Sequence, residues 1–170
     1  EFANSIYKNM GHYETIDQIE FAKYLRTLSY VDSTRIGVHG WSYGGYLTSL
    51  LMTKGADYFK TGVAVAPVIN WRYYDSIYTE RYLSLPAENP KGYDDNSPVF
   101  FADKLKGKYL LIHGLTDDNV HFQNSAEMVI ALVKNKKQFD TFYYPNQAHG
   151  ISQSRGHLYE MMTEYFKKNL

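Results

Sequence analysis

The chain has 170 residues, enough for one domain with a buried core. Eighteen Lys and Arg offset eighteen Asp and Glu, so no charge excess points to nucleic acid or an anionic membrane. The absence of cysteine excludes disulfides, thiolate metal sites and a cysteine nucleophile, and no apolar run approaches the length of a membrane span.

Helical and strand-like segments alternate along the chain, the pattern of an α/β fold with helices on a parallel sheet. Thr15 and Gln18 fit a capping box. Ile16, Ile19, Ala22, Leu25 and Leu28 then carry one apolar face. Residues 35–39 (RIGVH) read as a short buried strand and residues 46–52 as a helix. A second buried strand covers 62–68 (GVAVAPV) and stops near Pro67; a third covers 109–112 (YLLI). Residues 123–134 form a helix with Met128, Val129, Leu132 and Val133 on one side. Residues 139–144 form a fourth strand ended by Pro145, and residues 158–168 a closing helix. Residues 70–101 follow no clean period and hold most of the loop content. The chain opens at Glu1-Phe2 without Met, and we expect it to be a piece of a longer protein.

The chemistry enters at Gly40-Trp41-Ser42-Tyr43-Gly44, a G-x-S-x-G motif followed by Gly45. It stands where a strand ends and a helix begins, the setting of a nucleophile elbow. A serine on so sharp a turn lifts its hydroxyl above the sheet edge, and glycines flank it where side chains would collide. The helix start offers backbone N–H groups to developing negative charge, with the Tyr43 N–H as oxyanion donor. In this fold an acid and then a base follow the nucleophile in chain order. The third predicted strand leads into His113-Gly114-Leu115-Thr116-Asp117-Asp118, and the fourth into Asn146-Gln147-Ala148-His149-Gly150. Both loops leave the carboxyl ends of strands, where parallel sheets place their sites. His149 supplies the base that a weakly nucleophilic hydroxyl needs. A carboxylate must fix its tautomer, and Asp117 and Asp118 both compete for that role. His39 and His113 read as packed, hydrogen-bonded strand residues. His12, His121 and His157 form no metal-ligand spacing, so neither metal nor cofactor is expected.

Four segments together, GWSYGGY at 40–46, TERY at 79–82, HGLTDDNVHFQ at 113–123 and AHGI at 148–151, resemble the prolyl oligopeptidase family of serine peptidases, most closely its dipeptidyl peptidase IV branch. The resemblance runs from about Asp17 to the C-terminus. It implies Ser42 as nucleophile, Asp117 as acid and His149 as base. It also implies a serine exopeptidase that releases N-terminal dipeptides with Pro or Ala second. The matching S1 pocket positions are Tyr43, Val68, Trp71, Tyr74, Tyr78 and Val120, and Asn119 matches a residue that binds a substrate carbonyl. Read without the family, the aromatic run 71–78 is either satellite core or an apolar slot beside the elbow.

The same resemblance implies what these 170 residues lack: a preceding β-propeller with paired glutamates that grip the substrate amine, a tyrosine serving as second oxyanion donor, and the first half of the hydrolase sheet. The expected fold is thus the C-terminal half of an α/β-hydrolase, about four parallel strands flanked by helices. The resemblance further implies peptide substrates, a homodimer in the parent protein, and a periplasmic, secreted or membrane-anchored extracytoplasmic location, with a cytoplasmic one as alternative. An esterase or acyl-peptide hydrolase on the same scaffold is the rival within enzymes. A non-catalytic hydrolase-like domain is the rival outside them, although such a domain would be expected to have lost Ser42, Asp117 or His149.

Overall fold

The computed structural model describes residues 2–170. Four strands form one sheet in the order of the chain: β1 (Gly37–Trp41), β2 (Thr61–Val65), β3 (Lys108–Gly114) and β4 (Asp140–Tyr144). All neighbours run parallel, with Gly37 opposite Thr61, Gly62 opposite Tyr109 and Leu110 opposite Asp140. Parallel strands need crossovers, and helices supply them. These are α1 (His12–Leu25) ahead of β1, α2 (Tyr43–Thr53) between β1 and β2, α5 (Gln123–Lys134) between β3 and β4, and α6 (Arg155–Asn169) after β4.

The central strands are buried on both faces, and each face has its own core. Val63, Val65, Leu110 and Ile112 pack with Leu158 and Met162 of α6. Ala64, Tyr109 and Leu111 point the other way, to Leu51 and Met52 of α2 and Met128 and Leu132 of α5. This is why β2 and β3 read as continuous apolar runs rather than alternating ones.

Several expected boundaries move. Helix α1 starts earlier than the Thr15 capping box predicts. Glu14 Oε2 accepts the Gly11 N–H at 2.9 Å, while the Thr15 hydroxyl donates back to the Gly11 carbonyl. The reciprocal bond therefore comes from Glu14, and Thr15 lies inside the helix. Of the expected apolar face, Ala22 is buried and Ile19 and Leu25 pack against the core, but Ile16 is exposed. Leu28 lies beyond the helix end. Strand β2 stops at Val65, because Ala66 takes a positive φ of 44°.

The segment 70–101 is more helical than its lack of period suggests. It holds 3₁₀ turns at Trp71–Tyr73 and Pro98–Lys104, and helices α3 (Ser76–Leu83) and α4 (Pro90–Asp94). Short helices capped by side chains need no long apolar stripe. Asp75 accepts the Tyr78 N–H at 2.9 Å, and Asn89 accepts the Gly92 N–H at 3.2 Å, with Pro90 in the first turn. His39 is also corrected: it is exposed on β1 and meets Phe166 edge-on, with ring centroids 6.4 Å apart.

Candidate active site

Ser42 sits between the end of β1 and the first residue of α2 with φ 57° and ψ −116°. That backbone is strained for a residue with a side chain, and such strain is held in place only where the surroundings over-determine it. Three bonds and one close approach do so here. The Ser42 N–H donates to the Val65 carbonyl at 2.9 Å, and the Ser42 carbonyl accepts the Tyr46 N–H at 2.9 Å. The Trp41 indole N–H donates to the His149 carbonyl at 3.0 Å. A Cβ on Gly40 would fall 2.2 Å from the Gly44 carbonyl group, so the turn closes only around glycine. Gly44 itself departs from the sequence reading, because a Cβ there would meet nothing within 4 Å. The second crowded position is Gly45, against the Val65 carbonyl at 2.7 Å.

The Tyr43 N–H opens α2, in the turn where a helix has no carbonyl of its own to satisfy its donors. The Ser42 hydroxyl forms no hydrogen bond to another described residue. In unliganded hydrolases the contact from nucleophile to base is often long and tightens only when substrate binds.

Asp117 and His149 are brought together. The His149 Nδ1–H donates to Asp117 Oδ2 at 2.8 Å. Because the partner is a carboxylate, Nδ1 carries the hydrogen and neutral His149 keeps a free lone pair on Nε2. Asp118 is excluded from this pair: it lines an open cleft with Asn119 and His121. The other oxygen of Asp117 accepts the N–H groups of Asn119 and Val120, both at 3.0 Å. Burial alone would raise the Asp117 carboxyl. The hydrogen bonds from His113, His149 and the Asn119 N–H outweigh it and hold the group well below the usual carboxylate range.

The two loops are also braced to each other. Thr116 N–H donates to the Gln147 carbonyl at 3.1 Å, and Leu115 N–H to the Tyr144 carbonyl at 3.0 Å. Gln147 in turn bonds the backbone and side chain of Gln153.

Beside Ser42 lies a cavity of about 140 Å³ lined by Ser42, Tyr43, Val68, Trp71, Tyr74 and Tyr78. Its rings form a connected set. Trp71 meets Tyr43, Tyr74 and Tyr78 at centroid distances of 5.8, 5.9 and 6.0 Å. Burial pushes the phenols of Tyr43, Tyr74 and Tyr78 up from their ordinary value, so the slot is lined by neutral rings. Val120 departs from its expected place on the wall. It is fully buried behind the slot, in one cluster with Val68 and Trp71. Asn119 faces a larger open cleft of about 650 Å³. Its Oδ1 accepts the Tyr74 hydroxyl at 2.8 Å, which leaves the amide N–H groups free to donate.

Four supporting residues escaped the sequence reading. Glu14 accepts the Tyr43 hydroxyl at 2.7 Å, so the residue that caps the start of α1 also fixes a wall of the slot. The buried side chain of Asn124 accepts the N–H of Ile69 at 2.9 Å and of Asn70 at 3.4 Å, and Ser97 Oγ accepts that of Trp71 at 3.3 Å. Trp41 ties the His149 loop to the elbow. Only the G-x-S-x-G spacing marked Trp41; the others carry no local signal, because their partners lie 26 to 55 residues away in sequence.

A parallel sheet with a strained serine turn after β1, and with a carboxylate and a bonded histidine on the loops after β3 and β4, defines an α/β-hydrolase. The chain belongs to the prolyl oligopeptidase family, whose profile matches residues 1–170. It is similar to prolyl endopeptidase FAP of Mus musculus, 43% identical over 99% of this chain and 23% of that protein. It is similar as well to dipeptidyl peptidase 4 of Sus scrofa, 45% identical over 97% of this chain and 22% of that protein. Among solved structures it superimposes on a putative dipeptidyl aminopeptidase IV from Bacteroides ovatus, with a TM-score of 0.97 and 42% identity over 99% of this chain and 24% of that one. The dipeptidyl peptidase 4 of Porphyromonas gingivalis gives a TM-score of 0.96 and 43% identity over 98% of this chain and 24% of that one. The chain thus spans about a quarter of the length of the proteins it matches.

Proposed function

We propose that this chain carries the nucleophile, acid and base of a serine exopeptidase that releases N-terminal dipeptides with Pro or Ala at the second position. The observation that carries the reading is the aromatic slot opening on Ser42, with the hydrogen-bonded Asp117–His149 pair on the neighbouring loops. In the proposed reaction the Ser42 oxygen attacks the carbonyl after the second residue, and His149 Nε2 takes the hydroxyl proton. The Tyr43 N–H stabilises the resulting oxyanion. Collapse breaks the peptide bond, and His149 returns the proton to the leaving amine. A water molecule, deprotonated by the same nitrogen, then releases the dipeptide from the acyl-enzyme.

A proline ring is rigid and apolar and has little freedom to lose in a ring-lined slot. A long charged side chain would strand its charge there. The free amide of Asn119 stands ready for a substrate carbonyl. The remaining machinery, including the grip on the free amine and a second oxyanion donor, belongs in this proposal to the upstream part of a longer protein. That protein is proposed to act as a homodimer.

The similarity to a protein named prolyl endopeptidase FAP favours one second reading, cleavage after proline inside a chain. One comparison on the full-length protein tests both. Free Gly-Pro, blocked Gly-Pro and free Gly-Lys chromogenic substrates are turned over side by side. The exopeptidase reading expects free Gly-Pro to be far ahead of both others. Equal kcat/KM for Gly-Pro and Gly-Lys would sink it, and strong turnover of the blocked substrate would establish the endopeptidase.

A further inference from the structure

Asp117 has a second histidine. His113, on β3 four residues earlier, is fully buried, and its Nε2 lies 3.2 Å from Asp117 Oδ2. That oxygen is the one that accepts the His149 Nδ1–H. The same Nε2 lies 2.8 Å from the Val120 carbonyl. Both neighbours of Nε2 are acceptors, so Nε2 carries its hydrogen; it bonds the Val120 carbonyl and lies close beside the Asp117 oxygen. On the far side of the ring, Nδ1 lies 2.6 Å from Ser125 Oγ in the first turn of α5. With the hydrogen on Nε2 of a neutral ring, Nδ1 accepts and the Ser125 hydroxyl donates.

We propose that His113 is a positioning residue for the peptidase reaction: its Nε2–H, oriented by Ser125, holds the Asp117 carboxylate in the rotation that meets His149. The geometry gives it two jobs. Oδ1 of Asp117 is held by the backbone N–H groups of Asn119 and Val120, and Oδ2 by His149 alone unless His113 joins it. His149 must move slightly to serve attacking and leaving atoms, so a donor from the rigid strand side keeps Oδ2 in place while it does. The bond to the Val120 carbonyl extends the same brace to the turn that presents Asn119 and backs the slot. The ring is thus a strut between β3, α5 and the acid loop. A packing residue at this site would need neither the two acceptors on one nitrogen nor the serine on the other.

The titratable groups that face Asp117 are His113 on β3, His149 on the loop after β4 and, farther off, Tyr74 after β2; Asp118 shares its turn but faces the cleft. Arg155 of α6 reaches the His149 loop through the Gly150 carbonyl at 3.2 Å. Removing one donor from Oδ2 leaves more negative charge for His149, which stabilises its imidazolium. The acid limb of kcat/KM therefore moves to higher pH.

The inference rests on the serine-peptidase reading above, and the test separates the two. In the full-length protein His113→Gln is compared with His113→Asn. A glutamine amide reaches the position of Nε2; an asparagine amide reaches only that of Nδ1. Rates are expressed per Ser42 that reacts with a fluorophosphonate, so that misfolded molecules are not counted. His113→Asn is expected to lower kcat about ten- to a hundredfold, the scale of one hydrogen bond to a charged group, with KM little changed and the acid limb raised. His113→Gln is expected to keep most of kcat and the wild-type limb. Equal rates and equal pH profiles for the two variants would overturn the role of His113. A wild-type protein that neither labels at Ser42 nor cleaves Gly-Pro substrates would overturn the peptidase reading instead.

Discussion

The acid–base side of the site and the nucleophile side are built to different standards of closure. Strands β2 and β3 are buried along almost their whole length, and the loops after β3 and β4 are cross-braced by the chain's own bonds. Strand β1 has no fully buried residue and, among the described residues, pairs on one side only. Helix α1, which packs on α2, turns Tyr13, Ile16, Phe21 and Tyr24 to solvent. The Asp117–His149 pair is held by bonds within the described residues, whereas Ser42 follows a strand that, among them, is paired on one side only. The difference teaches that orienting a base is a local problem of hydrogen bonds, while presenting a nucleophile depends on the whole sheet that aims it.

The sharpest test of the nucleophile side is chemical. Ser42→Ala in the full-length protein should lower kcat by about a millionfold, and fluorophosphonate labelling should disappear with it. Peptidase activity surviving in that variant would remove Ser42 from the mechanism.

On the acid–base side, Asp117→Asn should lower kcat by about ten thousandfold, because the amide favours the wrong tautomer of His149. The depressed pKa of Asp117 sets a sign for stability as well. The carboxyl binds its proton less readily folded than unfolded, so its contribution is fully present above about pH 4, the unfolded value. It is lost as pH falls through the lower folded value. The stability gap between wild type and Asp117→Asn should therefore close on acidification below about pH 4. A gap that stays constant to pH 2 would show that the charged form is not what the fold favours.

The open edge predicts the behaviour of the 170-residue chain on its own. On the proposed reading, in which a second oxyanion donor and the grips on the substrate amine lie upstream, the chain alone is expected to turn over at least about a hundred- to a thousandfold more slowly. An apolar strand with unpaired backbone groups is a template for another chain. Light scattering should find self-association; a monodisperse monomer with full dipeptidyl peptidase turnover would show that the β1 edge needs no partner.

The smallest effect is expected where the two regions meet α1. Glu14→Ala and Tyr43→Phe each break the same bond, so each should destabilise by about 1–3 kcal/mol, and the double variant by less than the sum. Strict additivity in thermal unfolding would show that the carboxylate and the phenol act independently.

The parts of this site that were legible in the sequence are those whose meaning is local. The serine turn needs its glycine at Gly40 and announces itself between an apolar strand and a helix. The order of Ser42, Asp117 and His149 follows from the fold. The choice of Asp117 over Asp118 came only with the family resemblance: adjacent residues in a turn point different ways, and in the structure the bonds to His149 and to the Asn119 and Val120 N–H groups separate them. Glu14 was hidden because its helix start was misplaced, and His113 because a strand histidine looks the same whether it packs or braces. The helices in 70–101 were missed because single caps such as Asp75 and Asn89, not periodicity, hold them.

The indole bond from Trp41 to the His149 carbonyl has an optical consequence. The chain holds two tryptophans, one on that bond and the other, Trp71, at the centre of the ring cluster beside Ser42. Both indoles of the chain therefore lie at the candidate site, and its tryptophan emission originates there. A ligand that fills the slot or shifts the histidine loop should report itself in the colour and lifetime of that emission, with no dye attached.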